Sequence, residues 1–123
     1  MSVARLAHVN IRSKDVEASK AFYVSILGLT VGPRPPFASV GYWMYLDNEP
    51  IVHLVQRPGG DPPRTDSGCV DHVAFRGTNL EATRAALRQA GLAFKEEVVP
   101  HDGTIQVFVH DPDGVKIELN FAP

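Results

Sequence analysis

Three histidines and one glutamate stand at positions that could hold a divalent cation: His8, His53, His72 and Glu118. Imidazole nitrogens and a carboxylate oxygen suit iron, zinc, nickel, manganese or cobalt, and such a set is common for first-row metals. His53 could instead lie outside the coordination shell, where it would orient a ligand or transfer a proton. The residues therefore predict one metal ion per chain, with Glu118 or His53 as the proton-transferring group.

These four residues occupy matching places in a duplicated sequence, because residues 5–57 can be laid over residues 69–122. The matches are Leu6-Ala7-His8-Val9 with Val70-Asp71-His72-Val73, Tyr45-Leu46-Asp47 with Val109-His110-Asp111, and Ile51-Val52-His53-Leu54 with Lys116-Ile117-Glu118-Leu119. The offset grows by one residue towards the end. We place the extra residue in the turn at Asp111–Gly114, since turns tolerate insertions.

Each half has the pattern of a strand, a helix and then further strands. In the first half an apolar strand is followed by helical spacing that ends at Gly28, and the second half repeats this order up to Gly91. Glycines and prolines between the halves exclude regular structure. We therefore predict a single α+β domain over residues 1–123, with module one at 5–57, a linker at 58–68 and module two at 69–122.

Strand alternation assigns the four candidate ligands to the face opposite the helices. In the last strand Ile117 and Leu119 face the helix and leave Glu118 on the other side, and the same parity applies to His8 and His72. The strand of His53 is apolar on both faces, and only the repeat assigns His53 to the position of Glu118. The same reasoning predicts that the pocket is lined by Asn10, Tyr42, Met44, Arg76, Gln106 and Phe108.

The composition of the chain limits the classes of binding partner that we expect. The chain has 123 residues, 44% of them hydrophobic, and a formal net charge of −2, so it lacks the basic surplus that binds nucleic acid. No apolar run approaches the length that spans a membrane, and the single cysteine fits a reducing compartment. We expect a cytoplasmic protein with a small-molecule substrate and neither nucleic acid nor membrane as a partner.

Three segments resemble the vicinal-oxygen-chelate superfamily, which includes glyoxalase I, extradiol dioxygenases, methylmalonyl-CoA epimerase, fosfomycin-resistance enzymes and bleomycin-binding proteins. They are Leu6–Val9, Asp71–Phe75 and Phe108–Leu119. The resemblance implies two tandem βαβββ modules that form a curved mixed sheet around a metal site, with the helices on the outside. It also implies a homodimer and a metal that chelates two neighbouring oxygens of a substrate. His8, His53, His72 and Glu118 fall on the family's four ligand positions.

His53 departs from the best-known members. Glyoxalase I resembles this chain except for a carboxylate at that position, and the epimerase has a glutamine there. Extradiol dioxygenases and fosfomycin thiol transferases are similar at His8, His72 and Glu118.

The resemblance leaves three functions open. We expect a metal-dependent isomerase, lyase or group-transfer enzyme. The alternatives are a non-haem Fe(II) dioxygenase and a metal-free protein that binds an antibiotic. A site within one chain and a site shared by two chains would use the same four residues.

Overall fold

The computed structural model describes residues 2–59 and 67–123, so most of the predicted linker at 58–68 lies outside the described residues. The elements are β1 (Val9–Ser13), α1 (Val16–Ser25), β2 (Thr30–Gly32), β3 (Gly41–Leu46), β4 (Glu49–Gln56), β5 (Val73–Arg76), α2 (Leu80–Gln89), β6 (Lys95–Val98), β7 (Ile105–His110) and β8 (Lys116–Phe121). The prediction of two tandem βαβββ modules is confirmed.

The strands form two four-stranded mixed sheets with the same internal order, β1-β4-β3-β2 and β5-β8-β7-β6. In each sheet the first strand pairs in parallel with the last, and the other neighbours are antiparallel. The parallel pairing needs a long connection between the strands, part of which is the helix. Neither helix of the described residues is long and apolar enough to cross a membrane.

Local sequence sets where the helices begin and end. The side chain of Asp15 accepts a hydrogen bond from the backbone N–H of Ala18 and caps α1, and Asn79 does the same for Ala82 in α2. After α1 the chain turns at Gly28, whose φ of 71° lies in the left-handed region that favours glycine.

The helix-facing sides of both sheets contribute to one hydrophobic core. Its fully buried members include Val52 and Leu54 of the first sheet and Val107 and Ile117 of the second. The core therefore lies on the helix side and leaves the opposite faces for chemistry.

Helix α1 of the first module is hydrogen-bonded to the β7–β8 turn of the second. The Tyr23 hydroxyl donates to Asp111 Oδ2 at 2.8 Å, and Ser19 Oγ donates to Asp113 Oδ2 at 2.9 Å. Burial, and then the charge of Asp111, raise the pKa of Tyr23, so its hydroxyl remains a hydrogen-bond donor. These contacts fix the position of one module against the other.

Tyr42 and Met44 lie on the helix-facing side of β3, so the prediction that they line the pocket is wrong. Met44 is fully buried in the core. The Tyr42 hydroxyl donates to the carboxylate of Glu17 in α1. The residue between them, Trp43, points the other way and stacks on His53.

The prediction for Tyr42 and Met44 depended on placing the extra residue of the second half in the turn at Asp111–Gly114. Trp43 pairs with His53, and Phe108 pairs with Glu118. The stretch of chain between the two partners has the same length in both modules. The length difference between the halves therefore lies before β3, and not in the turn. A slip of one residue turns every side chain of a strand to the opposite face. The β3–β4 register shifts between Met44 and Tyr45. The match of Tyr45-Leu46-Asp47 with Val109-His110-Asp111 at the tip of the hairpin therefore does not extend back to Met44.

Candidate metal centre

His8 and His53 form the first pair of candidate ligands. His8 directly precedes β1, and His53 lies in the middle of β4, which pairs with β1. Their rings are stacked with centroids 3.8 Å apart and an interplanar angle of 9°. The Trp43 ring stacks on His53 at 4.1 Å and 12°, so the imidazole of His53 lies between two flat rings. His8 is exposed, whereas His53 is only 8% exposed.

The Nε2 atom of His53 is buried and has no hydrogen-bond partner among the described residues. Burial, and then the charge of His8, lower the pKa of His53, while a hydrogen bond with the backbone of Pro50 acts in the opposite direction. A neutral imidazole whose Nε2 is free directs a lone pair from that atom, and this is the form that binds metals.

His72 and Glu118 form the second pair. His72 Nε2 lies 2.8 Å from Glu118 Oε2, and the carboxylate of Glu118 is buried. Gln106 Nε2 donates to the other oxygen, Oε1, at 2.6 Å. On the far side of the imidazole, His72 Nδ1 lies 2.8 Å from Asp71 Oδ2, and this bond is the main cause of the lowered pKa of Asp71.

The second pair also fits a metal. Its two facing atoms, an imidazole nitrogen and a carboxylate oxygen, are the donors that a first-row cation prefers. Asp71 on the opposite nitrogen of His72 is the kind of partner that fixes the tautomer of a metal-bound histidine. Gln106 similarly orients Glu118.

The structure brings the four predicted ligands together as two pairs and not as one cluster. Within residues 2–59 and 67–123, no group of three or more His, Cys, Asp or Glu side chains could hold a metal ion. The pairs occupy equivalent places, because His53 lies across from Trp43 as Glu118 lies across from Phe108. We call the His8–His53 pair the first half-site and the His72–Glu118 pair the second half-site.

Comparison with known proteins decides the family. A sequence model described as Glyoxalase/Bleomycin resistance protein/Dioxygenase superfamily matches residues 5–119. The chain belongs to this superfamily.

Among superfamily relatives, the probable lactoylglutathione lyase of Synechocystis sp. is 32% identical over 93% of this chain and 92% of its own length. The lactoylglutathione lyase of Salmonella typhimurium is 34% identical over 94% of this chain and 90% of its own length.

Solved structures share the fold. A glyoxylase/bleomycin resistance protein/dioxygenase domain from Frankia sp. EAN1pec has a TM-score of 0.80 at 21% identity and covers 99% of this chain and 100% of its own. A genomically encoded fosfomycin resistance protein from Listeria monocytogenes has a TM-score of 0.78 at 16% identity, and the match covers 99% of this chain and 96% of that protein.

The other predicted lining residues of this superfamily member have different surroundings. Asn10 is exposed and pairs with His53 across the parallel strands. Phe108 lies beside Glu118, with Lys116 Nζ 5.0 Å from its ring centroid. Arg76 lines a cavity of about 670 Å³ between the end of α1 and the start of α2, and none of the four candidate ligands lines this cavity.

Sequence reasoning missed Trp43, Arg34 and Phe37. The correct register of β3 would have found Trp43. Arg34 and Phe37 lie in the segment between β2 and β3, where no periodicity indicates direction. The Phe37 and Trp43 rings are 6.4 Å apart, and the charge of Arg34 contributes to the lowered pKa of His53. All three are therefore near the first half-site.

Proposed function

We propose that the protein is a divalent-metal-dependent enzyme of the lyase or isomerase type, acting on a small substrate with two neighbouring oxygens. The observation that carries this proposal is the pair of equivalent half-sites, one with the free Nε2 of His53 and the other with His72 facing Glu118. The lactoylglutathione lyase relatives support the reaction class.

The metal would be held by His8, His53, His72 and Glu118. When bound, it supplies a Lewis acid that polarises a substrate oxygen and stabilises the charge that develops there.

Glu118 is the group that we propose moves the proton. Its Oε1 is held by Gln106, while Oε2 faces the site beside His72. A carboxylate held in this way can accept a proton from a substrate carbon and return it. Glyoxalase I carries a second carboxylate where this chain has His53. Glu118 is therefore the one carboxylate of the four proposed ligands, and a proton leaves and returns through it. His53 serves as a neutral ligand or, if it lies outside the shell, as the partner acid or base.

We further propose that the working unit is a homodimer in which the first half-site of one copy meets the second half-site of the other. The surface next to each half-site supports this. Leu6, two residues before His8, is 84% exposed, and Val70, two residues before His72, is 58% exposed. A second copy that covers these side chains would bring the histidine pair and the His72–Glu118 pair together.

The test is the metal content of untagged protein purified without chelators, measured by elemental mass spectrometry. We expect about one zinc, nickel, manganese or cobalt ion per chain, as in sites of this donor set. Glu118→Gln should lose the ion, whereas Glu81→Gln, at an exposed position of α2, should keep it. The loaded enzyme is then assayed for formation of lactoylglutathione and related 2-hydroxy acid products.

Two results would contradict the proposal. About one iron per chain, with turnover of catechols under oxygen, would assign the two-histidine, one-carboxylate chemistry of a dioxygenase. Protein that takes up no metal, even after reconstitution, would be a small-molecule binding protein.

A further inference from the structure

We propose that Arg34, Phe37 and Trp43 form a subsite for an organic anion, in which Arg34 binds the oxyanion group and the two rings pack against its apolar or aromatic part. The subsite is defined by these three residues. That its ligand is the substrate rests on the proposed function.

Arg34 is held in place by Ser39 and by the ring of Phe37. Its Nη1 donates to the Ser39 carbonyl at 2.9 Å and its Nη2 donates to Ser39 Oγ at 3.0 Å. Its Cζ lies 5.0 Å from the Phe37 ring centroid. No acidic side chain in the described part of the chain forms an ion pair with Arg34. A fixed guanidinium that lacks a carboxylate partner favours binding of a carboxylate or phosphate.

A line of rings connects Arg34 with the proposed ligand His53. Phe37 is 54% exposed and its centroid lies 6.4 Å from that of Trp43, at an interplanar angle of 49°. Trp43 in turn stacks on His53. An exposed aromatic ring beside a polar anchor is typical of small-molecule sites, because the ring desolvates the apolar part of the ligand.

The segment that carries Arg34 and Phe37 is conformationally restricted. It contains Pro33, Pro35 and Pro36, which fix φ, and the Phe37 N–H donates to the Pro35 carbonyl at 2.7 Å. A subsite that is ordered before the ligand arrives loses little entropy on binding.

Trp43 is the single tryptophan of the chain, so tryptophan fluorescence, compared at the same metal content, reports on this subsite. The probes are phenylacetate and phenyl phosphate, with the neutral phenylacetamide as a control, titrated into protein with and without bound metal. We expect a saturable change with at least one anion in both forms. Arg34→Gln should weaken this binding about tenfold or more, as for loss of a charge-assisted hydrogen bond.

Arg88→Gln is the matched control, because the Arg88 guanidinium also lies over a phenylalanine, Phe94, at 5.9 Å. It should leave the affinity within about twofold, since surface arginines away from a site contribute little. Phe37→Ala should weaken the binding of both anions and of phenylacetamide to the same extent, because it removes the apolar contact and leaves the charge of Arg34. Whichever anion binds more tightly identifies the carboxylate or the phosphate as the preferred group.

The inference is overturned if neither anion changes the fluorescence at millimolar concentration, or if Arg34→Gln binds them as the wild type does. Binding that is present without metal supports the subsite even if the metal proposal fails. Metal uptake without anion binding leaves the proposed function standing and removes the subsite.

Discussion

Glu118 and His53 occupy equivalent positions in the two modules, yet their surroundings differ. Both carboxylate oxygens of Glu118 have neighbours, namely Gln106 and His72, whereas Nε2 of His53 is buried with no partner among the described residues. A buried polar atom without a partner costs about 1–3 kcal/mol, so a ligand that completes His53 is favoured. The two equivalent positions therefore differ in what they offer: one is a carboxylate whose oxygens both have neighbours, and the other is an imidazole whose Nε2 is free for a ligand.

At the residue scale we predict that Gln106→Leu weakens metal binding by about 10- to 100-fold, because an unanchored Glu118 must be ordered by the ion itself. The dissociation constant can be measured by competition with a chromogenic chelator. Gln89→Leu, at the exposed end of α2, is the control and should leave the constant unchanged. An unchanged constant for Gln106→Leu would contradict the role of Gln106 in orienting Glu118 for the metal.

At the element scale, the duplicated pattern was enough to predict both modules and the face that carries His72 and Glu118. Alternation is informative there because Ile117 and Leu119 are buried on one side of β8 while Lys116 and Asn120 are not. It was not informative in β3, where Tyr42, Trp43 and Met44 are all large and apolar enough to face either way. Only the pairing of β3 with β4 shows which face of the sheet each of these side chains occupies.

The grouping of the four candidate ligands could not be predicted either. Periodicity gives the face of a strand but not the distance between two sheets. The two sheets meet through their helix-facing cores and through the Tyr23–Asp111 contact, and this packing leaves the half-sites apart within one chain.

The corrected register of β3 predicts a difference between two neighbouring substitutions. Met44→Ala should lower the free energy of unfolding by about 2–5 kcal/mol, because it leaves a cavity in the core. Leu46→Ala, two residues further along β3 and half-exposed, should cost less than about 1 kcal/mol. Urea denaturation followed by circular dichroism measures both, and equal losses would contradict the assignment of Met44 to the core.

At the scale of the whole molecule, the single chain exposes apolar side chains beside the half-sites, such as Leu6 and Val70. Exposed apolar surface at a polar site is typical of an interface between copies.

We therefore predict a dimer of about 27 kDa in sedimentation equilibrium, as expected for a closed twofold assembly of this chain. Leu6→Asp should shift the protein towards the monomer and reduce metal binding, because a buried unpaired carboxylate opposes association. Val98→Asp, at an exposed position of β6, should change neither property. A wild-type protein that sediments as a monomer with full metal content would contradict the shared site.

The most direct measurement of the central claim is the metal content of a heterodimer made from two defective chains, one carrying His8→Ala and His53→Ala, the other His72→Ala and Glu118→Ala. If two copies share each site, the heterodimer keeps one complete site, and we expect about one ion per two chains while either variant alone binds none. If each site belonged to one chain, no complete site would form. A heterodimer without metal, made from variants that still dimerise, would contradict the account.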